Sequence, residues 1–180
     1  MLALIVSLCS SCEKETDPFL ITKQNIGFLT DSTQVKDLKS IFQNDSIYRY
    51  IGGDEFTGNK NDIEIYEKGG NPLMVLSPSQ ALDSTSTIRN IKVIDARYKT
   101  SSGLHANITF KDIKDHHKIS GIQNTLRNVI VSVDEINAYF TIDKNELPAN
   151  MRFDMNLKIE AIQIPEEAKI KDFFLYWSNN

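Results

Sequence analysis

The residues of this 180-residue chain with chemistry to offer are three histidines, a set of scattered serines, an acidic loop and a terminal aromatic cluster. His116 and His117 are adjacent. Neighbours on a helix point about 100° apart, whereas chelating pairs sit at i, i+4. They read as exposed histidines near a helix end, where positive charge suits the dipole, and His105 stands apart from them. The loop GDEFTGNKND supplies oxygen donors in Asp54, Glu55, Asn59, Asn61 and Asp62. Calcium takes such donors, but this spacing is not that of its D-x-[DN]-x-[DN]-G loop. The stretch reads as a solvated loop, with a weak calcium or sugar contact through Asp54, Asn59 and Asp62 as the alternative. Ser77, Ser79, Ser84 and Ser86 lie in turn-rich segments, and no G-x-S-x-G elbow is present. A serine–histidine–acid site therefore has no motif to support it. Phe173, Phe174, Tyr176 and Trp177 form either a core plug or an edge where Trp177 and Tyr176 hold a partner or a glycan. No phosphate loop or dinucleotide fingerprint occurs. The expectation is no catalytic residue, no cofactor and no metal.

The elements that must position these residues are mostly strands. IEIYEKGGNPLMVL is a hairpin: Ile63 and Ile65 alternate with Glu64 and Tyr66, Gly69-Gly70 permits the turn, and Pro72 opens the return strand. IRNIKVIDARY places Ile91 and Val93 on one strand face, and NVIVSVDEINAYFTI reads as a second hairpin turning at Asp134-Glu135. MRFDMNLKIEA alternates over its whole length and predicts a strand from Met151 to Ala161 with one dry face. KIKDFFLYW predicts a last strand, Phe19–Thr22 a first one and SIYRYI another. Val35, Leu38, Ile41 and Phe42 recur at helical spacing, which predicts a helix from Thr33 to Gln43. A second capped helix follows Thr109. The two helix regions share a theme: Gly27, Thr33 and Lys36-Asp37-Leu38-Lys39 in one, Gly103, Thr109 and Lys111-Asp112-Ile113-Lys114 in the other. This is either an internal duplication or the same turn-then-cap chemistry used twice. The fold class expected is α+β, a mostly antiparallel sheet with two short amphipathic helices.

Residues 2–15, LALIVSLCSSCEKE, pose a different question. The apolar run is far shorter than the roughly 20 residues that span a bilayer, yet it suits the apolar region of an export signal. Small residues lead to Cys12, and a charged segment ending at Pro18 follows. The stretch resembles a bacterial lipoprotein signal, with Leu8 at −4, Ser10 and Ser11 as the small residues and Cys12 at +1. That resemblance implies cleavage before Cys12 and acyl chains on it. Cys9 stands where the family has leucine, and no Lys or Arg precedes the run. The Ser-Cys-Glu-Lys-Glu junction resembles lipoproteins of the Bacteroidetes group. The expected organisation is a signal over 1–11, a tether over 12–18 and one globular domain over 19–180. With Cys9 removed and Cys12 acylated, the mature chain has no free thiol.

The stretch IRNIKVIDARYKTSSGLHANITFKDI resembles the core of the envelope-stress (sigma-E) regulated lipoprotein domain. Asp95, Tyr98, Thr100, Gly103, Phe110 and Ile113 carry the likeness, and the order of elements from Asn25 to Ile142 agrees with it. It implies a lipid-anchored α+β envelope domain and carries over no catalytic residue. A net charge of −4 and the lack of a basic stripe argue against a nucleic-acid partner. The function expected is therefore a non-enzymatic binding or assembly module of the cell envelope. It would be held at the outer membrane through Cys12, on either side, with an envelope protein as a possible partner. Carbohydrate or small-ligand binding is the first alternative, and a hydrolase with a cryptic site the second.

Overall fold

The computed structural model describes residues 17–49 and 61–178. Alternating apolar residues build its largest element, an eight-stranded antiparallel sheet. In chain order its strands are β4 (Ser46–Arg49), β5 (Ile63–Tyr66), β6 (Pro72–Pro78), β7 (Ile88–Val93), β9 (Gly121–Asn124), β10 (Asn128–Val133), β11 (Ala138–Asp143) and β12 (Ile170–Tyr176). Their spatial order is β4-β5-β6-β7-β12-β11-β10-β9. Ile65, Leu76, Ile91, Phe140, Phe173 and Leu175 all point to one buried face, as a period of two on a half-covered sheet requires. A smaller sheet of β1 (Leu20–Ile21), β2 (Asn25–Ile26), β3 (Leu29–Thr30) and β8 (Lys99–Thr100) helps cover that face, with two helices. The class is α+β, as the sequence implies. Among the described residues no helix is long and apolar enough to cross a membrane.

The helices are short and are set by their caps. A 3₁₀ turn (Val35–Asp37) leads into α1 (Leu38–Ile41), and α2 spans Phe110–His116. Each begins with a capping box, Gln34 with Asp37 and Thr109 with Asp112. The first cap is thus Gln34 and not Thr33, whose hydroxyl accepts from Thr30 N–H at 2.9 Å. Each ends with a C-cap N–H bonded one turn back, Phe42 to Leu38 O and His117 to Ile113 O, both at 2.9 Å. Each cap also bridges to the residue just before the last strand of its own meander, Gln34 to Thr87 and Thr109 to Lys169.

These correspondences extend to the whole sheet. α1 precedes the meander β4–β7, and α2 precedes the meander β9–β12. The two meanders meet through their last strands, with Phe173 opposite Val93 and Tyr176 opposite Asn90. An antiparallel join between equivalent strands relates the halves by an approximate two-fold axis through the sheet. The topology therefore repeats, whether or not the sequences share an origin.

Register fixes the two ends of the sheet. At one end, here the base, lie the β5–β6 turn (67–71), the end of β7 with residues 94–98, the β9–β10 turn (125–127) and the β11–β12 connection (144–169). The β6–β7 loop (79–87), the β10–β11 turn (134–137) and Trp177 lie at the other end, the apex. The chain joins the described fold at the base. Phe19 O accepts from Lys99 N–H at 3.0 Å, and Gly27 lies against Pro18. A Cβ on Gly27 would fall 2.3 Å from Pro18 O, and its φ is +54°, so only glycine fits there.

The predicted strand from Met151 to Ala161 does not form. The segment instead has 3₁₀ turns at Ala149–Met151 and Ala161–Gln163 within an irregular connection. Met151 and Ile159 are buried, but Phe153 is 89% exposed and Met155 53%. Alternation needs a neighbouring strand to act on, and β11 is already flanked by β10 and β12. Local turns hold the backbone instead, with Met151 N–H bonded to Pro148 O. Asn124 Nδ2 donates to the carbonyls of Asp154 and Leu157, both at 2.9 Å.

Candidate functional site

The C-terminal end of α1 leaves a cleft. Ile41 and Phe42 end the helix, and their side chains face Leu73 from the start of β6 and Tyr98 from the turn after β7. Phe19 and Phe28 close the other wall, and the space enclosed is about 280 Å³. That is just below the range of small-molecule sites, about 300 to 1,000 Å³, so the cleft suits one apolar group better than a large ligand. Its rim is charged. Arg97 Nη1 lies 2.8 Å from Glu67 and Nη2 2.6 Å from Asp95, while the guanidinium stacks 4.8 Å from the Phe19 ring centre. Hydrogen bonds from Arg97 hold the Glu67 and Asp95 carboxyls below the usual carboxylate range, and they raise the pKa of Arg97 in return. The rim is thus a fixed cluster, two carboxylates around one guanidinium, that frames the apolar walls.

Tyr98 carries the polar function of this cleft. Its ring packs edge-on to Phe19 at 5.1 Å between centres. Burial pushes its hydroxyl up to about 12, so it stays a neutral donor. No hydrogen bond to it forms among the described residues. An acceptor on a bound group is the natural partner for a half-desolvated phenol.

The equivalent end of α2 is closed. His117 stands where α1 has Phe42, and its ring bonds on both sides. Ser102 Oγ lies 2.8 Å from Nε2 and Glu135 Oε2 2.8 Å from Nδ1. Serine, histidine and acid are thus in line, an arrangement no sequence motif announced, because the three come from the turn after β8, the α2 end and the β10–β11 turn. The geometry of a nucleophile and its base is met, but its surroundings are those of a clamp. Ser102 Oγ is also 2.8 Å from Thr100 Oγ1. The nearby Gly103 and Leu104 N–H groups are bonded to Thr100 O and Oγ1 at 2.9 and 3.0 Å, so neither is free to serve an oxyanion. The three residues tie three elements together and shut the space that stays open beside α1.

The other residues singled out from sequence are dispersed. Cys12, Asp54 and Asn59 lie outside the described residues. Asp62 accepts from Ser77 Oγ at 2.6 Å. Trp177 is 2% exposed and donates its indole N–H to Lys23 O at 3.2 Å, so its ring has no face free for a glycan. Tyr176 points to the opposite side of β12, where its hydroxyl accepts from Arg89 at 3.1 Å. His116 Nδ1 donates to Asp112 O at 2.8 Å, and His105 Nδ1 accepts from Asn107 N–H at 3.2 Å. Among the described residues no group of histidine, cysteine and carboxylate side chains could hold a metal. The sequence carries no local signal of the cleft, because its walls come from five separated segments of ordinary core residues.

No family model matches the chain, and no curated protein matches it. Among solved structures it is similar to the uncharacterized protein YfeY from Escherichia coli, with a TM-score of 0.55 and 17% identity. The match covers 87% of this chain and 98% of that one. At this identity the likeness is one of fold.

Proposed function

We propose that this protein is a lipid-anchored, non-enzymatic binding module of the bacterial envelope whose ligand site is the cleft beside α1. The observation that carries the reading is the asymmetry of the two halves: the same helix end is sealed by Ser102, His117 and Glu135 in one half and left open in the other. The anchor rests on residues 2–15, with Cys12 as the acylated residue. The ligand class follows from the walls. Phe19, Phe28, Ile41, Phe42 and Leu73 accept an apolar group, and the Tyr98 hydroxyl, which has no hydrogen-bond partner among the described residues, can donate to an acceptor at its end. Apolar walls with one donor favour an acyl segment or an apolar side chain over a sugar, which needs many polar partners.

Titration with 1-N-phenylnaphthylamine, an apolar fluorescent probe, tests the site. The protein should bind it saturably, and Ile41→Asp, which puts a carboxylate in the half-buried wall, should weaken binding about tenfold or more. Linear, non-saturating fluorescence, or equal binding by Ile41→Asp, would overturn the cleft. Metabolic labelling with an alkyne fatty acid tests the anchor: label should enter the wild-type chain and be lost in Cys12→Ala.

A further inference from the structure

We infer that the base of the sheet is a membrane-docking surface, so that the domain lies against the bilayer and does not hang free on its tether. This rests on the lipid-anchor reading above. Of the eight large hydrophobic side chains exposed among the described residues, Tyr48, Leu82 and Tyr176 lie elsewhere and the other five gather at one end. Phe28, Leu126, Phe153, Met155 and Ile162 are 57%, 68%, 89%, 53% and 91% exposed, and all five belong to the base. Phe28 is in the turn beside Pro18. Leu126 is in the β9–β10 turn, and Asn124 ties that turn to the backbone of residues 154–157. Phe153, Met155 and Ile162 lie in the β11–β12 connection, which starts and ends at the base. Isolated exposed apolar residues are ordinary, but five at one end of a sheet are a surface with a use.

The occupant follows from where the chain joins the fold. Asp17 and Pro18 are at this same end, and Cys12 is only a few residues before them. Acyl chains on Cys12 would therefore bring the base nearer to the lipid than the apex. Aromatic and long aliphatic tips on loops suit the headgroup–acyl boundary, where they bury about 5–10 Å deep. Charge is balanced here: residues 125–127 and 144–169 hold five basic side chains (Arg127, Lys144, Arg152, Lys158, Lys169) and five acidic ones (Glu146, Asp154, Glu160, Glu166, Glu167). Docking should then depend on apolar insertion and need little anionic lipid. The same orientation turns the mouth of the α1 cleft, which Phe28 also lines, toward the membrane surface.

Depth measurement on the full acylated protein tests this. Single cysteines at Phe153→Cys, Leu126→Cys and Leu82→Cys would carry an environment-sensitive nitrobenzoxadiazole label. Leu82 is 76% exposed but sits at the apex, so it is the control. In vesicles of phosphatidylethanolamine with a minority of phosphatidylglycerol, spin labels on the lipid chains should quench positions 153 and 126 at least about twofold more than position 82. Equal quenching at all three overturns the docking surface. So does protection of 153 and 126 that appears only when envelope protein is added, which would make the base a protein interface. Peptide mapping separates the two readings: label on Cys12 itself would show a free thiol and remove the anchor, and the docking surface with it. An acylated Cys12 with an unquenched 153 removes the docking surface alone.

Discussion

Phe42 and His117 occupy the same place in the two halves of the sheet, one turn after Leu38 and Ile113, and the halves diverge from that point. Phenylalanine forms part of a cleft wall, while histidine bonds to two neighbouring elements and shuts the gap. The connections between the third and fourth strands diverge as well. Residues 79–87 make a short loop at the apex, but residues 144–169 make a long excursion that packs Leu147, Met151, Ile159 and Ile164 under the base. One half is thus sealed and filled, the other left partly open. A repeated scaffold can keep its stability in one copy and place a site in the other.

The sharpest way to break this contrast is to empty the sealed half. Phe110 opens α2, is wholly buried, and corresponds to Val35 at the start of the first helical turn. Phe110→Ala should cost about 3–5 kcal/mol in urea unfolding. A loss well below that range would mean that the sealed half is not tightly packed around this ring.

The clamp comes next in size. His117→Ala removes both ring bonds and leaves Ser102 and Glu135 without them, which should cost about 1–2 kcal/mol. If the three residues are a clamp and nothing more, a fluorophosphonate probe should leave Ser102 unlabelled in the wild-type protein. Labelling of Ser102 that disappears in His117→Ala would show a reactive nucleophile and sink the clamp reading.

Much of this plan was legible in the sequence. The hairpins around Gly69-Gly70 and Asp134-Glu135, the strands through Ile91 and Phe173, and the Thr109 cap all follow from local signals. The repeated Lys-Asp before an apolar residue aligns the caps, because Asp37 and Asp112 hold the same position in the two capping boxes. What was not legible depends on distant partners. The alternation from Met151 to Ala161 matches a strand, but β11 and β12, the two strands that the segment connects, are already paired on both sides, and local turns hold its backbone instead. Trp177 reads as either a core plug or an edge until Lys23 O is brought to its indole. Ser102, His117 and Glu135 are separated by 15 and 18 positions along the chain and meet only through the fold.

Lys144 offers a change in the opposite direction. It opens the excursion of the filled half, is 5% exposed, and its Nζ has no hydrogen-bond partner among the described residues. A buried cation without a partner is destabilising relative to an apolar chain of similar length. Lys144→Met should raise stability by about 1 kcal/mol in the same assay. A loss of that size would show that the ammonium has a partner that the fold depends on.

The smallest effect concerns the tighter of the two capping boxes and its response to pH. In the first, Gln34 N–H reaches Asp37 Oδ2 at 3.3 Å. In the second, Asp112 Oδ2 accepts from Thr109 N–H at 2.7 Å and from Thr109 Oγ1 at 2.8 Å. Those bonds, the backbone one first, hold the Asp112 carboxyl below its ordinary range. A carboxylate whose folded pKa is depressed binds protons less readily folded than unfolded. Its contribution is therefore fully present above the unfolded value, near 3.9, and is lost as pH falls through the lower folded value. Asp112→Asn should cost up to about 1 kcal/mol at neutral pH and flatten the fall in stability below about pH 4. Urea unfolding at a series of pH values reads both. Parallel slopes for the two proteins would mean that the Asp112 cap is not linked to pH, and the second half would lose this mark of its tighter construction.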